Sequence, residues 1–228
     1  MQSTSFIDYL IHYILKITSV FEMSLMFKHP FTCIVAGPTG CGKTQFTKRV
    51  IQYASIIIQP PPQKIVWCYG VYQKLFDEIR HVEFQEGLPK MNQFDGNERI
   101  LLILDDLMRE LSSSTSAVDI FTRMSHHMNI SVMYLSQNVF YKGAQNRTIS
   151  LNSQYFVLFK NPRDGQQIST LARQIFPTKW KFVLEAFSDA TREPYTYLLL
   201  DLKPETEENL RVRGQIFPQE TNFVYVSK

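Results

Sequence analysis

Short apolar runs, separated by polar and turn-forming residues, recur along most of the chain. Runs of this length are typical of buried strands, and stretches with apolar residues every three or four positions are typical of helices. The predicted strands cover residues 31–36, 64–69, 99–104, 130–135, 155–160 and 195–201. The third strand is apolar at successive positions, which is typical of a parallel sheet covered by helices on both sides.

Helices are predicted between these strands, at residues 43–54, 72–80, 107–111 and 118–127. Three consecutive prolines at residues 60–62 predict a loop, because proline can continue neither a helix nor a hydrogen-bonded ladder. Alternation of strand and helix predicts an α/β fold with a mostly parallel central sheet flanked by helices. The 228 residues suffice for one core. We place this core at residues 29–203, with a helical N-terminal extension at 1–28 and a peripheral C-terminal tail at 204–228.

The N-terminal extension is apolar, but it is predicted not to span a membrane. Asp8, His12, Lys16 and Glu22 interrupt residues 6–26, whereas a membrane span needs about 20 uninterrupted apolar residues. An amphipathic surface helix is predicted instead, whose apolar face packs on the core or docks on a neighbouring subunit or a membrane surface. The three cysteines cannot all pair, which predicts a reducing, intracellular location.

Charge is distributed unevenly along the chain. The formal net charge is only +3, so total charge gives no argument for a nucleic-acid partner. Residues 71–119 hold ten acidic and five basic side chains, a net charge of −5, whereas residues 141–181 hold seven basic and one acidic, a net charge of +6. We call residues 141–181 the basic segment. It fits either contact with a nucleic-acid backbone or an ordinary solvated surface.

A glycine-rich motif follows the first predicted strand. Residues 37–44 read GPTGCGKT, an instance of the phosphate-binding pattern G-x-x-x-x-G-K-[ST]. Such a loop directs backbone N–H groups and the N-terminus of the next helix at a polyphosphate. The candidate nucleotide-binding residues are therefore Gly37, Pro38, Thr39, Gly40, Cys41, Gly42, Lys43 and Thr44.

Three side chains of this motif carry individual predictions. Lys43 supplies a mobile positive charge for the β- and γ-phosphates, and the Thr44 hydroxyl is a candidate Mg²⁺ ligand. Cys41 stands beside a helix N-terminus, which favours its thiolate. The alternative for Cys41 is a small side chain that fills a tolerant position in the loop.

Two acidic residues, Asp105 and Asp106, end the third predicted strand. Carboxylates at the mouth of a buried strand need a counter-charge, which the Mg²⁺ of a Mg²⁺-nucleotide supplies. Asp105 is predicted to hold this ion, and Asp106 to orient or activate the attacking water. The alternative is that both acids cap the helix predicted at 107–111.

The fourth predicted strand, at 130–135, ends in the polar sequence Ser136-Gln137-Asn138. In the branch of P-loop proteins that hydrolyse with a carboxylate beside the metal acid, an additional strand lies between the P-loop strand and the acid strand. This strand is the candidate, and Gln137 would then sense the γ-phosphate or position the attacking water. A simple polar turn after a strand is the alternative.

Four segments together resemble a known family. They read GPTGCGKT, ILLILDDLM, VMYLSQN and RTISLNSQYFVLFKNPRDGQQISTLARQIFP. They are similar to the poxvirus-type genome-packaging ATPases of the FtsK/HerA superfamily, and most similar to those of Maverick/Polinton elements and adintoviruses. The resemblance runs over residues 29–177. It implies a P-loop ATPase that uses ATP and Mg²⁺, forms a homo-oligomeric ring and drives double-stranded DNA into a viral capsid. Capsid proteins are the further partners implied, and the host nucleus or a cytoplasmic viral factory is the implied location.

The resemblance also assigns roles to individual residues. Lys43 and Thr44 become the phosphate and Mg²⁺ contacts, Asp105 the metal acid, Asp106 the catalytic carboxylate and Gln137 the sensor. Much of the superfamily has Glu where Asp106 stands, which is one methylene longer. The position of the attacking water is therefore less firmly implied than the other roles.

Ring ATPases of this type complete each site with an arginine from the neighbouring subunit. Arg147 is favoured, because it follows a glycine-containing loop just past the sensor strand. Arg163 is the second candidate, although Asp164 beside it offers a local ion-pair partner. Solvated surface charge is the alternative for either arginine.

Other nucleotide-binding proteins share the phosphate loop. A small-molecule kinase, a slow nucleotide-dependent switch and an oligomeric helicase-like translocase all remain open on the motifs alone. The paired aspartates favour water as the phosphoryl acceptor, and the sequence has no evident acceptor-binding insertion or arginine-rich lid. The choice of ATP over other nucleotides follows from the resemblance only.

Overall fold

The computed structural model describes residues 27–90, 93–113, 119–124, 128–140 and 144–227. Residues 1–26 of the predicted N-terminal extension lie outside this part of the chain, as do Tyr141 and Lys142 of the basic segment. Elements are numbered below in chain order within the described residues.

Each of the six predicted strands is present, with ends within two residues of the predicted ones. The strands are β1 Phe27–Lys28, β2 Thr32–Ala36, β3 Ile58–Gln59, β4 Lys64–Tyr69, β5 Glu83–Glu86, β6 Ile100–Asp105, β7 Ile130–Ser136, β8 Tyr155–Phe159, β9 Tyr197–Asp201, β10 Val212–Gly214 and β11 Phe223–Val224.

The helices agree less closely with prediction. They are α1 Lys43–Gln52, α2 Ala54–Ile57, α3 Met108–Ser113, α4 Ala144–Leu151, α5 Gly165–Ile175 and α6 Trp180–Ala190. The helix predicted at 72–80 is a short 3₁₀ helix, Lys74–Glu78, and the one predicted at 118–127 is a π-helical turn, Ile120–Met124, in its described part. A second 3₁₀ helix covers Glu208–Leu210. Within the described ranges, no helix combines the length and apolar character needed to cross a membrane.

Strand order places the motifs side by side. Within the described residues, nine strands form one sheet in the order β11-β10-β9-β8-β2-β7-β6-β4-β5. β7 lies between β2, which precedes the glycine-rich loop, and β6, which carries the two acids, and it is parallel to both. Ala36 is paired with Ser136 and Leu135 with Asp105, so the three strands end at the same level. The predicted additional strand is therefore confirmed.

The sheet is mostly parallel, as predicted. β2, β4, β5, β6, β7 and β8 pair in parallel, and β8-β9-β10-β11 continue the sheet antiparallel. Side chains of β6 alternate between two apolar clusters, with Leu102 and Leu104 on one face and Leu101 and Ile103 on the other. Helices α5 and α6 cover the first face, and α1 and α2 cover the second.

The segment 204–228 is not the peripheral tail that the sequence predicts. Strand β10 pairs with β9, and β11 pairs with β10, so this segment extends the main sheet. Arg213 on β10 forms an ion pair with Asp201 on β9, and both side chains are 2% exposed. Phe217 is fully buried in the apolar cluster between the sheet and α1. The prediction failed because the buried positions of this segment form short runs, such as Val212–Gly214, that polar residues separate.

Candidate active site

Most of the predicted site residues line one cavity at the carboxyl ends of the parallel strands. Its volume is about 730 Å³. Predicted residues that line it are Thr39, Gly40, Gly42, Lys43, Thr44, Asp105, Asp106 and Gln137. Gly37, Pro38 and Cys41 of the loop do not line this cavity. The loop after β2, the ends of β6 and β7 and the start of α1 thus border a single space. They meet there because the carboxyl ends of parallel strands lie at one edge of the sheet.

The glycine-rich loop has backbone geometry that other residues would not tolerate. Gly42 caps α1 with φ of 109°, in the left-handed region that favours glycine. A Cβ on Gly37 would lie 2.6 Å from Cys41 Sγ and 2.7 Å from Phe159 Cβ, so only glycine fits there. Gly37 N donates to Ser136 O at 3.1 Å, which fixes the loop to the end of β7. The first-turn N–H groups of α1 have no partner inside the helix and face the loop.

Lys43 lies over the loop that precedes it. Its Nζ donates to Gly37 O at 2.6 Å and to Pro38 O at 3.0 Å. Burial lowers the pKa of Lys43, and the charges of Asp105 and Asp106 oppose that shift. The ammonium group is therefore placed between the loop and the two acids.

The surroundings of Cys41 bear on the two interpretations that the sequence leaves open, an activated thiolate and a small side chain that fills space in the loop. Burial raises the pKa of its thiol, and this effect exceeds the opposing influence of Lys43. Its Sγ lies beneath the loop against Gly37, away from the main cavity. The contact fits the alternative interpretation, in which Cys41 fills space within the loop.

Asp105 is a buried carboxyl with few polar neighbours. It is 6% exposed, and its Oδ2 accepts a hydrogen bond of 3.3 Å from Gln73 Nε2. Burial and the adjacent Asp106 raise the pKa of Asp105 to about 6, while the charge of Lys43 lowers it. Burial is the larger cause, so the folded surroundings disfavour the charged form of Asp105.

Asp106 is exposed and has a left-handed backbone, with φ of 53°. A Cβ on Gly70 would lie 2.5 Å from Asp106 O, so the glycine allows the two segments to approach closely. Asp and Asn adopt the left-handed region more readily than most residues. This geometry favours Asp over the longer Glu at this position.

Gln137 is exposed at the mouth of the cavity. The residues that follow it are hydrogen-bonded to helix α5. Gln167 on α5 donates from Nε2 to Asn138 Oδ1 at 3.3 Å and also to Asp164 Oδ2. Its Oε1 accepts from Phe140 N at 3.0 Å. One amide side chain therefore positions the residues that follow Gln137.

The donor set suits Mg²⁺, which prefers oxygen ligands and is commonly held by one or two carboxylates together with phosphate. Thr44 offers a hydroxyl at the start of α1, and Asp105 offers a carboxylate on the facing strand end. Burial and the adjacent Asp106 raise the pKa of Asp105, and a cation bound beside it would favour the charged carboxylate. These residues fit the ion that the sequence predicts.

Arg147 and Arg163 do not line the cavity of their own subunit. Arg147 is exposed on α4, and Arg163 is exposed in the turn before α5. Asp164 caps α5 by accepting from Gln167 N at 3.3 Å. The sequence-based preference between the two arginines remains a prediction.

Sequence reasoning missed several residues of the site. Gln73 and Gln167 touch predicted residues or their neighbours but belong to no common motif. Arg49 and Tyr195 line the cavity on its far side. The proline before Tyr195 marks a turn, but nothing in the sequence places that turn beside the glycine-rich loop.

The phosphate loop, the two acids and the strand between them define the P-loop NTPase fold. Solved structures with a similar fold include B204, the DNA-packaging ATPase from Sulfolobus turreted icosahedral virus, with a TM-score of 0.53 and 11% identity. The match covers 76% of this chain and 94% of that one. The genome-packaging NTPase B204 from Sulfolobus turreted icosahedral virus 2 is similar in its complex with ATP-gammaS, with a TM-score of 0.51, 11% identity, and 75% and 92% coverage. The complex of the same protein with AMPPCP has a TM-score of 0.51 and 13% identity, and the match covers 76% of this chain and 93% of that one. No protein-family model matches the sequence, and no curated protein matches it.

Proposed function

We propose that this chain is an ATP-hydrolysing motor subunit that moves double-stranded DNA into a viral capsid. The observation that carries the proposal is the insertion of β7 between the phosphate-loop strand and the acid strand, with Gln137 at its end. Similarity of fold to B204 over more than nine-tenths of that packaging ATPase supports it. The sequence motifs further support kinship with the FtsK/HerA packaging ATPases of Maverick/Polinton elements and adintoviruses.

Each site residue has a proposed role in hydrolysis. Lys43 and the loop N–H groups bind the β- and γ-phosphates, and Thr44 and Asp105 hold Mg²⁺, which offsets phosphate charge when bound. Asp106 accepts a proton from the attacking water, and Gln137 orients that water against the γ-phosphate. Every one of these groups lines the same cavity.

DNA contact is proposed for the basic segment. Its basic residues within the described part are all exposed: Arg147, Lys160, Arg163, Arg173, Lys179 and Lys181. Arg173 also stacks on Trp180, with its Cζ 4.2 Å from the ring centroid. Exposed cations suit contacts to phosphate, which carry no information on base sequence. We propose that the ring surrounds the duplex, docks on capsid proteins and works in the host nucleus or a cytoplasmic viral factory.

Light scattering and ATPase assays with linear duplex DNA test this function. We expect a homo-oligomer whose hydrolysis rate rises with duplex. Duplex affinity should fall at least about tenfold between about 50 and 200 mM salt, because phosphate contacts release counterions. A monomer that phosphorylates a nucleoside would establish the kinase alternative. A rate unaffected by DNA would contradict the motor.

Arg147 is proposed to act on the neighbouring subunit's γ-phosphate. We expect Arg147→Ala rings to lose hydrolysis by about 10³-fold, the typical value of an arginine finger. Mixing Arg147→Ala with Lys43→Ala subunits should restore about a quarter of the wild-type rate, because random head-to-tail rings contain intact interfaces at that frequency.

The matched control for Arg147 is Arg163→Ala, another exposed arginine of the basic segment. It should keep the wild-type rate of basal hydrolysis. Full activity of Arg147→Ala alone, or no recovery in mixed rings, would exclude a trans-acting Arg147. If Arg163→Ala rings lose hydrolysis and regain it on mixing with Lys43→Ala subunits, then Arg163 is the arginine that acts in trans.

A further inference from the structure

The cavity extends beyond the region that a triphosphate needs. Asp105, Asp106 and Gln137 lie on the β6 and β7 side of the glycine-rich loop, whereas Tyr195 lies on the β8 and β9 side. A nucleotide with its γ-phosphate at the acids must point its nucleoside the opposite way. The part of the cavity that Tyr195 lines, called the far arm below, therefore leads along the loop away from the reacting phosphate.

Tyr195 is placed unusually in this arm. Tyr195 is 72% exposed, which makes it the most exposed large hydrophobic residue in the described part of the chain. It lies next to Gly42, since a Cβ on Gly42 would be 3.4 Å from Tyr195 Cδ1 and 3.6 Å from Tyr195 Cβ. An aromatic ring is thus held at the start of α1 with most of its surface uncovered.

The backbone at Tyr195 is one that tyrosine rarely adopts. Thr196 N donates to Glu193 O at 3.4 Å, which closes a turn with Pro194 and Tyr195 at its centre. The φ of Tyr195 is 66°. A turn with proline first and a positive φ second normally has glycine or asparagine at the second position. Packing does not explain the tyrosine, because its ring is largely exposed.

Neighbouring side chains form a wall of the same arm. Arg49 lies with its Cζ 4.0 Å above the ring centroid of Phe217, and its Nη1 is 2.5 Å from Glu220 Oε1. Phe46 and Tyr197 complete the apolar floor. The arm is therefore mostly aromatic, in contrast to the charged side that holds the two acids.

We propose that Tyr195 is the stacking platform for the base of the bound nucleotide. This inference rests on the proposed function and extends it, because it assigns the nucleoside end of the substrate. Every nucleobase has a flat π face. Stacking on an exposed aromatic side chain therefore provides affinity without distinguishing one base from another. The ligand class is therefore a nucleoside triphosphate with a planar base, as opposed to inorganic polyphosphate.

Binding of ATP and of inorganic tripolyphosphate, measured by calorimetry in Mg²⁺ buffer, tests the proposal. Tyr195→Asn removes the ring and places a residue that tolerates the positive φ, so the turn should persist. We expect Tyr195→Asn to bind ATP about tenfold more weakly than the wild type, a typical loss for one stacked base. Its affinity for tripolyphosphate should be unchanged, because the phosphate contacts remain.

Tyr195→Phe is the matched control, and it should bind ATP like the wild type because the ring is kept. Equal ATP affinity in Tyr195→Asn and the wild type would overturn the stacking role while leaving the proposed function intact. Equal losses for ATP and tripolyphosphate would also overturn it, because the variant would then disturb the loop. If the wild type binds neither ligand, the proposed function fails and the stacking role fails with it.

Discussion

Replacing Asp106 with Asn should lower the ATP hydrolysis rate by at least about 100-fold, because a positioned proton acceptor typically contributes 10²–10⁴. Nucleotide affinity should stay within about threefold, since Lys43 and the loop N–H groups are unchanged. Asn has the shape of Asp and tolerates the left-handed backbone at this position, so the fold should be retained. Steady-state phosphate release and calorimetric binding of a non-hydrolysable nucleotide measure the two quantities.

The control for Asp106 is Asp95→Asn, an exposed acid in a turn with Asn97, outside the cavity. It should hydrolyse ATP at the wild-type rate. A wild-type rate in Asp106→Asn would show that another group accepts the proton. An equal fall in binding and hydrolysis would show that Asp106 acts on substrate affinity and not on the chemical step.

Replacing Asp105 with Asn should abolish hydrolysis and yet stabilise the nucleotide-free protein. The pKa of Asp105 is raised from 3.8 to about 6 in the folded state, so the folded protein binds this proton more tightly than the unfolded chain. Stability therefore falls as pH rises from about 4 to about 6, and the full cost is present at higher pH. Removing the charge should raise the free energy of unfolding by on the order of 1–3 kcal/mol at about pH 7.5.

Urea unfolding without Mg²⁺ or nucleotide measures this gain at about pH 7.5 and again at about pH 4, where the gain should disappear. Glu207→Gln makes the same charge change at an exposed position and should leave stability unchanged within about 0.5 kcal/mol. A less stable Asp105→Asn protein at pH 7.5 would contradict the cost of the buried charge. The hydrogen bond from Gln73 does not confound the comparison, because an Asn side-chain oxygen also accepts it.

The central sheet was largely predictable because its strands are buried on both faces. Runs such as residues 100–105 are continuously apolar up to Asp105, which makes both the strand and its functional end visible in the sequence. Placing β7 beside β2 needed the polar end at Gln137 together with the family resemblance. The strand order confirms that placement.

Elements at the sheet edges were not predictable in the same way. β5 has the sequence EFQE, whose apolar content is too low to mark a strand, and within the described residues it pairs with β4 alone. Strands β10 and β11 are three and two residues long. They are specified by long-range partners, such as the buried pair of Arg213 and Asp201, which leave no local pattern.

Side chains from outside the motifs were also hidden. Gln73 and Tyr195 reach the site from loops, and their positions depend on where the sheet places those loops. The sequence left the state of Cys41 open because proximity to a helix N-terminus favours its thiolate, whereas burial, which the sequence does not show, raises the pKa of the thiol. Sequence spacing identifies what lies next to a residue along the chain, whereas the dielectric around it is set by the folded surroundings.

The three hydrogen bonds of the Gln167 side chain have a mechanical consequence for the proposed motor. If Gln137 shifts when the γ-phosphate leaves, the loop behind it must either break from Gln167 or pull the first turn of α5 along. That helix ends near Arg173, whose guanidinium rests on Trp180 at the exposed basic surface. The single helix α5, about 16 Å long, therefore connects the loop that follows Gln137 to the side chain proposed to contact the duplex.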